Sequence, residues 1–271
     1  MKKETVEDFY NNTGWKLEGE NTRDAIINEN LTPVAAEYVS KVRLRILENL
    51  GGGKNLLDIG CGPIQYPEYA EYSKNFELRV CVDLSEEALK MARGRIGVHG
   101  KYIVGDYLVM SSLKEAPFDG AALINVLYHV EKDSQEKLVR KILCDLKPGA
   151  RLVIVYSNPR TLSAFITAGL VRLKHLMLKI FKRVKTSESQ NPIYFYRHAT
   201  NFWSRFKNDS DVTVKAWRTF TPALERLIFR EKLVGKLLLR ILFACESFGF
   251  WRYISEYTLI ILEKKNPLIE K

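Results

Sequence analysis

The run Leu56-Leu57-Asp58-Ile59-Gly60-Cys61-Gly62-Pro63 reads as a buried strand that ends in an acid and then turns through two glycines. Glycines there let backbone approach a ligand closely, and such a turn can lead into a helix whose N-terminus favours polar or anionic groups. Many α/β proteins carry a short glycine turn for packing alone, so the residues downstream decide its meaning. Val80-Cys81-Val82-Asp83 is a second apolar run capped by an acid, and Asp83 stands 23 residues after Gly60. In a βαβ unit, a spacing of about 20 residues places a carboxylate on a ribose hydroxyl.

The alternation continues toward the C-terminus. Pro67 to Ser73 and Ser85 to Arg95 read as helices, the second with Ser85 as N-cap and Glu86-Glu87 in its first turn. Tyr102 to Val104 is a third strand ending at Gly105-Asp106, and Gly120 to Val126 a fourth. Asp133 to Leu146 is a helix stopped by Lys147-Pro148-Gly149, and Arg151 to Tyr156 is a fifth strand. Strands alternating with helices imply a parallel sheet covered on both faces, with ligands at the carboxyl ends of its strands. Asp58, Asp83, Asp106, Asn125 and His129 all fall at such ends.

These residues resemble class I S-adenosylmethionine-dependent methyltransferases, in particular the small-molecule group that includes quinone-ring methyltransferases. The resemblance runs from about Asn55 to Ser157, through LLDIGCGP, VCVDLS, VGDY, FDGAALINVLYHVEKD and LKPGARLVIVYS. It implies an α/β, Rossmann-like, seven-stranded, mostly parallel sheet with an antiparallel terminal hairpin and helices on both faces. It also implies S-adenosyl-L-methionine as cofactor and S-adenosyl-L-homocysteine as product. Asp58, Gly60 and Gly62 would face the methionine part, with Cys61 inside the turn. Asp83 would hold both ribose hydroxyls, with Leu84 against the adenine. Asp106 would accept from the adenine amino group beside Tyr107, and Asn125 would line the passage to the methyl group. The chain departs from the pattern at Ile64, where the third glycine of D-x-G-x-G-x-G is expected. Isoleucine there is expected to alter helix packing and the turn. A nicotinamide site fits the first two motifs but fails G-x-G-x-x-G, since Gln65 stands three residues after Gly62.

The 271 residues with 46% hydrophobic content support a real core. Cys61, Cys81, Cys144 and Cys245 are scattered without metal-ligand spacing, and no Asp/Asn cluster suggests a catechol-type metal site, so no metal is expected. Scattered cysteines, an N-terminus without an apolar h-region and the lack of an 18-residue apolar run point to a cytoplasmic protein, with the inner face of a membrane as a peripheral alternative.

Charge is uneven. Residues 1–158 carry 21 basic and 23 acidic residues, a net of −2, whereas residues 159–271 carry 21 and 9, a net of +12. An electrostatically attracted partner would therefore meet the C-terminal part. Thr161 to Val184 is a helix candidate with Arg172, His175, Lys179 and Lys182 on one face. Leu224 to Phe248 is a second basic, leucine-rich helical region with Lys232, Lys236 and Arg240 in register. Three readings compete: a lid whose apolar face packs on the sheet, an interfacial helix on anionic lipid, and a nucleic-acid surface. The last is the weakest, because neither an Asn/Asp-Pro-Pro-Tyr nor a Pro-Cys comes after the fourth strand.

One methyltransferase domain is expected: an N-terminal helical arm (1–54), the cofactor-binding core (55–158), an inserted basic lid (159–210) and a sheet-completing part (211–271). In the arm, a helix is expected from Pro33 to Leu50 with Thr32 as N-cap. Tyr10 and Trp15 are candidates for contact with the ligand or for plain packing. Val212 to Trp217 and Tyr257 to Leu262 are expected to form the terminal hairpin. His129 is the histidine near the expected methyl position, as a general base or as a loop-capping residue. The expected activity is methyl transfer to a small, apolar or amphiphilic acceptor at oxygen, carbon or nitrogen. The alternatives are a membrane-surface lipid or quinone methyltransferase, an RNA methyltransferase, or a non-catalytic S-adenosylmethionine-binding module.

Overall fold

Near-continuous apolar runs along the predicted strands require cover on both faces, and the computed structural model supplies it. It describes residues 4–166, 169, 194–230 and 232–266. The arm opens with α1 (Glu4–Phe9) and a π-helical turn at Tyr10–Gly14. A short ribbon of β1 (Leu17–Glu18) and β2 (Asn21–Thr22) then leads into α2 (Arg23–Asn28). The Thr22 hydroxyl caps α2 by accepting from the Ala25 amide at 3.2 Å.

Helices α3 (Ala36–Leu44) and α4 (Leu47–Leu50) complete the arm. Thr32 is therefore not the N-cap of a helix from Pro33. Its hydroxyl and amide both donate to Asn30 Oδ1, at 2.7 and 3.3 Å, so its side chain serves an Asx turn and the helix starts later.

The core is built from β3 (Gly53–Ile59), α5 (Pro67–Glu71), β4 (Phe76–Asp83), α6 (Glu86–Ile96), β5 (Gly100–Val104), β6 (Phe118–Ile124), α7 (Lys132–Cys144) and β7 (Leu146–Ser157). Ser85 caps α6 as expected, its Oγ accepting from the Ala88 amide at 3.1 Å. After the segment expected to form a lid come β8 (Ser210–Arg218), α8 (Pro222–Ile228), α9 (Lys232–Cys245) and β9 (Tyr257–Lys264). The sheet order is β5-β4-β3-β6-β7-β9-β8. β9 runs antiparallel to both β7 and β8, and the other neighbours are parallel. The chain winds outward from β3 to β5 and restarts inward at β6, so the order reverses between β3 and β6. That reversal leaves a crevice at the strand carboxyl ends.

Each strand feeds two cores. Leu57, Val80, Leu123 and Ile154 face α7, where Leu138, Val139 and Ile142 cover them. Leu56, Ala122, Val153 and Val155 face the opposite layer, closed by Tyr38, Val39 and Val42 of α3 and by Leu239 and Leu242 of α9. Burial on both faces is what a parallel sheet demands.

Of the segment expected to form a lid, residues 162–166 are helical, whereas Arg172, His175, Lys179 and Lys182 lie outside the described residues. The expectation that a basic helix lays its apolar face on the sheet fails for most of α9. Leu239 and Leu242 are buried, but Leu233, Val234, Leu237, Leu238 and Ile241 are exposed. The helix is leucine-rich nearly all round, and only one narrow stripe can meet the sheet.

Candidate active site

The turn after β3 takes the shape its glycines allow. Gly60 and Gly62 sit at φ of 63° and 57°, and a Cβ at Gly60 would fall 2.4 Å from Val126 Cγ2. Asp83, at the end of β4, braces this turn: Oδ2 accepts from the Gly62 amide at 2.9 Å and Oδ1 from the Ser85 amide at 2.8 Å. Burial pushes the Asp83 carboxyl up, and these amides oppose the shift.

Ile64 keeps the left-handed geometry of the glycine it replaces, with φ at 48°. That conformation costs about 1–2 kcal/mol for an L-residue. The side chain is 1% exposed and packs with Cys81, Leu89 and Ala92, a burial worth about 1.5–3 kcal/mol that offsets the strain. At the departure from the glycine pattern, Ile64 packs between β4 and α6 while the turn keeps its left-handed form. Asn125 after β6 is also left-handed, at φ 60°, which asparagine tolerates.

A cavity of about 850 Å³ opens on these strand ends. Gly60, Cys61, Gly62, Asp83, Leu84, Asp106, Tyr107, Asn125, Tyr10, Trp15 and His129 all line it. Asp58 does not. It is 3% exposed and its carboxylate is paired with Arg79 of β4. Asp58, Cys61 and Cys81 bring ligand-type atoms within 4.8 Å of one another, but with Asp58 held by Arg79 the group lacks a free carboxylate for a cation. The Tyr107 hydroxyl is committed to Asp145 Oδ2 at 2.5 Å.

The arm covers the glycine turn. Tyr10 and Trp15 stack at 4.7 Å, and a Cβ on Gly62 would come within 3.4 Å of the Trp15 ring. Asn11 accepts from the Ser85 hydroxyl. Trp15 Nε1 and Asn125 Oδ1 are buried without a partner. Orphaned polar atoms on a concave wall fit a polar ligand.

His129 sits in a short 3₁₀ turn beside the rings of Tyr128, Phe195 and Tyr10. Its Nδ1 lies 2.9 Å from the Tyr194 carbonyl oxygen. A carbonyl only accepts, so Nδ1 carries the proton and Nε2 keeps its lone pair. Burial holds the imidazole below its ordinary value of 6.5, with the Tyr194 carbonyl opposing. His129 is therefore neutral at pH 7 in the tautomer a base requires.

Part of the cavity lining was not foreseen. Tyr66, Tyr69, Trp217, Arg218 and Tyr257 form it together with Asp24 and Glu29. Arg218 binds Glu225 through Nε and Nη2 at 2.8 and 2.7 Å, and Glu29 through Nη1 at 2.8 Å. Arg43 reaches Glu29 at 3.4 Å and lies 3.4 Å from the Tyr66 ring centre. Glu29 and Arg218 are 189 residues apart, so no local pattern announces their pairing.

A family profile described as a methyltransferase domain matches residues 57–154. Norajmaline N-methyltransferase of Rauvolfia serpentina is 24% identical, with 97% of this chain and 93% of that protein aligned. The N-methyltransferase NodS of Bradyrhizobium japonicum, solved with S-adenosylhomocysteine, superposes with a TM-score of 0.51 at 15% identity, covering 88% of this chain and 90% of that one. The magnesium protoporphyrin IX methyltransferase of Synechocystis, also solved with S-adenosylhomocysteine, gives a TM-score of 0.52 at 14% identity, covering 97% and 100%. Joined to the glycine turn braced by Asp83, the domain match and the aligned relative make the protein an S-adenosylmethionine-dependent methyltransferase, and the sheet order and the solved structures show its Rossmann-like methyltransferase fold.

Proposed function

We propose that the chain methylates a small, ring-bearing or amphiphilic acceptor in the aromatic part of the cavity. One observation carries the reading: a single cavity joins the Gly60, Asp83 and Asp106 strand ends to the chamber of Tyr66, Tyr69, Trp217 and Tyr257. Pockets for small molecules are mostly apolar with a few placed polar groups, and this chamber has that composition.

Gly60 and Gly62 would meet the methionine part of S-adenosylmethionine, Asp83 the ribose hydroxyls and Asp106 the adenine. When bound, the cofactor supplies a methyl group already activated by its sulfonium. The chain's own work is to orient the acceptor, keep water out with the Tyr10–Trp15 stack, and take a proton at His129 Nε2. The norajmaline relative favours nitrogen as the acceptor atom. The test is release of S-adenosylhomocysteine from a panel of amines, phenols and carboxylates, beside calorimetric binding of the same product. Asp83→Ala should weaken that binding about 100-fold, since two charge-assisted hydrogen bonds are lost. Unchanged affinity would remove the ribose assignment.

A peripheral contact with an anionic bilayer is the second reading, favoured by α9. Its exposed Leu233, Val234, Leu237, Leu238 and Ile241 lie beside Lys232 and Arg240 in the part of the chain that carries the +12 excess. An apolar face flanked by cations is the composition of an interfacial helix.

A further inference from the structure

Two carboxylates, Asp24 and Glu29, and two guanidiniums, Arg23 and Arg218, line the cavity beside Tyr66, Tyr69, Trp217 and Tyr257. Arg43 and Arg218 face three carboxylates between them: Glu29 shared by both, Glu225 on Arg218, and Glu68 on Arg43 at 3.3 Å. Asp24 adds a fourth carboxylate, on the cavity wall in the first turn of α2. Its Oδ1 accepts from Asn28 Nδ2 at 2.9 Å, and the Gln65 side chain also donates to it. Among the described residues no lysine or arginine nitrogen lies within 4.0 Å of Asp24, while the adjacent Arg23 pairs with Glu18 at 3.7 Å near the surface. Asp24 is half-buried, and a cationic ligand would supply the charge partner it lacks.

The walls add two further pointers. Tyr66 Oη and Trp217 Nε1 are buried without partners, in residues 8% and 2% exposed. The rings of Trp217 and Tyr257 are the ones left to attract a cation, whereas Arg43 already lies over Tyr66 at 3.4 Å and over Tyr69 at 5.8 Å.

We infer that this chamber binds an acceptor that carries a protonated amine on a ring-bearing frame, with the ammonium held on Asp24 for recognition only, since an ammonium has no lone pair to take the methyl, and the frame among Tyr69, Trp217 and Tyr257. The Trp217 indole N–H and the Tyr66 hydroxyl then meet a hydrogen-bonding atom on that frame. An anionic acceptor is disfavoured because its charge would face the Asp24 carboxylate. This inference rests on the reading of the chamber as the acceptor's part of the cavity.

The test is binding to the full chain at neutral pH, without methyl donor, of phenethylamine, 2-phenylethanol and phenylacetate, which share a frame and differ in charge. Phenethylamine should bind about tenfold more tightly than the alcohol, and phenylacetate weakest. Asp24→Asn, nearly isosteric, should bring the amine down to the level of the alcohol while S-adenosylhomocysteine affinity and the unfolding temperature stay unchanged. Equal affinities of amine and alcohol overturn the inference, as does a preference that survives in Asp24→Asn or an amine that fails to bind at millimolar concentration. If the wild type binds S-adenosylhomocysteine but shows no amine preference, this inference alone fails. If it does not bind S-adenosylhomocysteine, the functional reading beneath it fails.

Discussion

Arg79 grips Asp58 through two hydrogen bonds to one oxygen, Nε at 3.0 Å and Nη2 at 2.6 Å from Oδ2. Both side chains are nearly inaccessible, at 2% and 4%. Burial works against the guanidinium charge, but Asp58 outweighs it and holds Arg79 above its ordinary value. The pair ties β3 to β4 directly beneath the glycine turn.

Removing one partner of such a pair strands the other charge in the interior. Asp58→Ala is therefore expected to destabilise the fold by about 3 kcal/mol, read as a lower denaturation midpoint. The affinity of the folded protein for S-adenosylhomocysteine should change little by comparison. The opposite pattern, full stability with lost affinity, would restore Asp58 as a direct ligand of the methionine part.

Ile64 gives a prediction in which the usual order of two substitutions inverts. Ile64→Ala keeps the left-handed strain and loses the packing against Leu89 and Ala92, a loss of about 2–5 kcal/mol. Ile64→Gly loses the same packing but relieves the strain, so it should be about 1 kcal/mol more stable than Ile64→Ala. Burial outweighs strain in both, and the wild type should remain the most stable of the three. An alanine variant more stable than the glycine variant would mean that the left-handed turn is not populated.

Much of the fold was legible because its signals are local. Ser85 three residues before Ala88, the aspartates closing β3 and β4, and the apolar runs that became β6 and β7 all act within a few residues. What escaped depends on contacts that no window of sequence contains. Asn30 diverts Thr32 into a turn, and Glu29 finds Arg218 only once the arm has folded across the sheet. Periodicity also tells which residues of α9 share a face, but not whether another layer covers that face. Gly60, Asp83, Asp106, Asn125 and their neighbours line the cavity because strand ends locate them, and Tyr10 and Trp15 reach it from the arm. The aromatic chamber was missed because Tyr66, Trp217 and Tyr257 come from three separate parts of the chain.

His129 ties activity and stability to the same titration. Its folded-state pKa lies below 6.5, so the unfolded chain binds the proton more tightly. The stability due to neutral His129 is then fully present above pH 6.5 and is lost as pH falls through the folded-state pKa. Between pH 7 and about pH 5, the wild type should lose more stability than His129→Asn. If Nε2 accepts the proton, kcat/KM should fall on the acid side below 6.5, and His129→Asn should lose that limb along with roughly 100-fold or more of kcat. Retained turnover with an unchanged pH profile would leave His129 only its structural bond to Tyr194.

The outer face of α9 sets the last prediction. No helix among the described residues is long and apolar enough to cross a membrane, so a bilayer contact would lie in the interface. Burying about half of the exposed Leu233, Val234, Leu237, Leu238 and Ile241 surface at the acyl boundary is worth roughly 5 kcal/mol. Each cation near an anionic surface adds about 1 kcal/mol. The protein should therefore float with phosphatidylglycerol vesicles at low salt, less with phosphatidylcholine vesicles, and less again at high salt as the charges are screened. Leu237→Glu combined with Leu238→Glu should cut partitioning by more than about tenfold, because it removes apolar burial and sets like charge against the lipid. Both residues are remote from the cavity lining, so S-adenosylhomocysteine binding should be unchanged in the same variant. Flotation equal in wild type and variant would show that α9 is not the contact, and no flotation of the wild type at low salt would remove the bilayer as a partner.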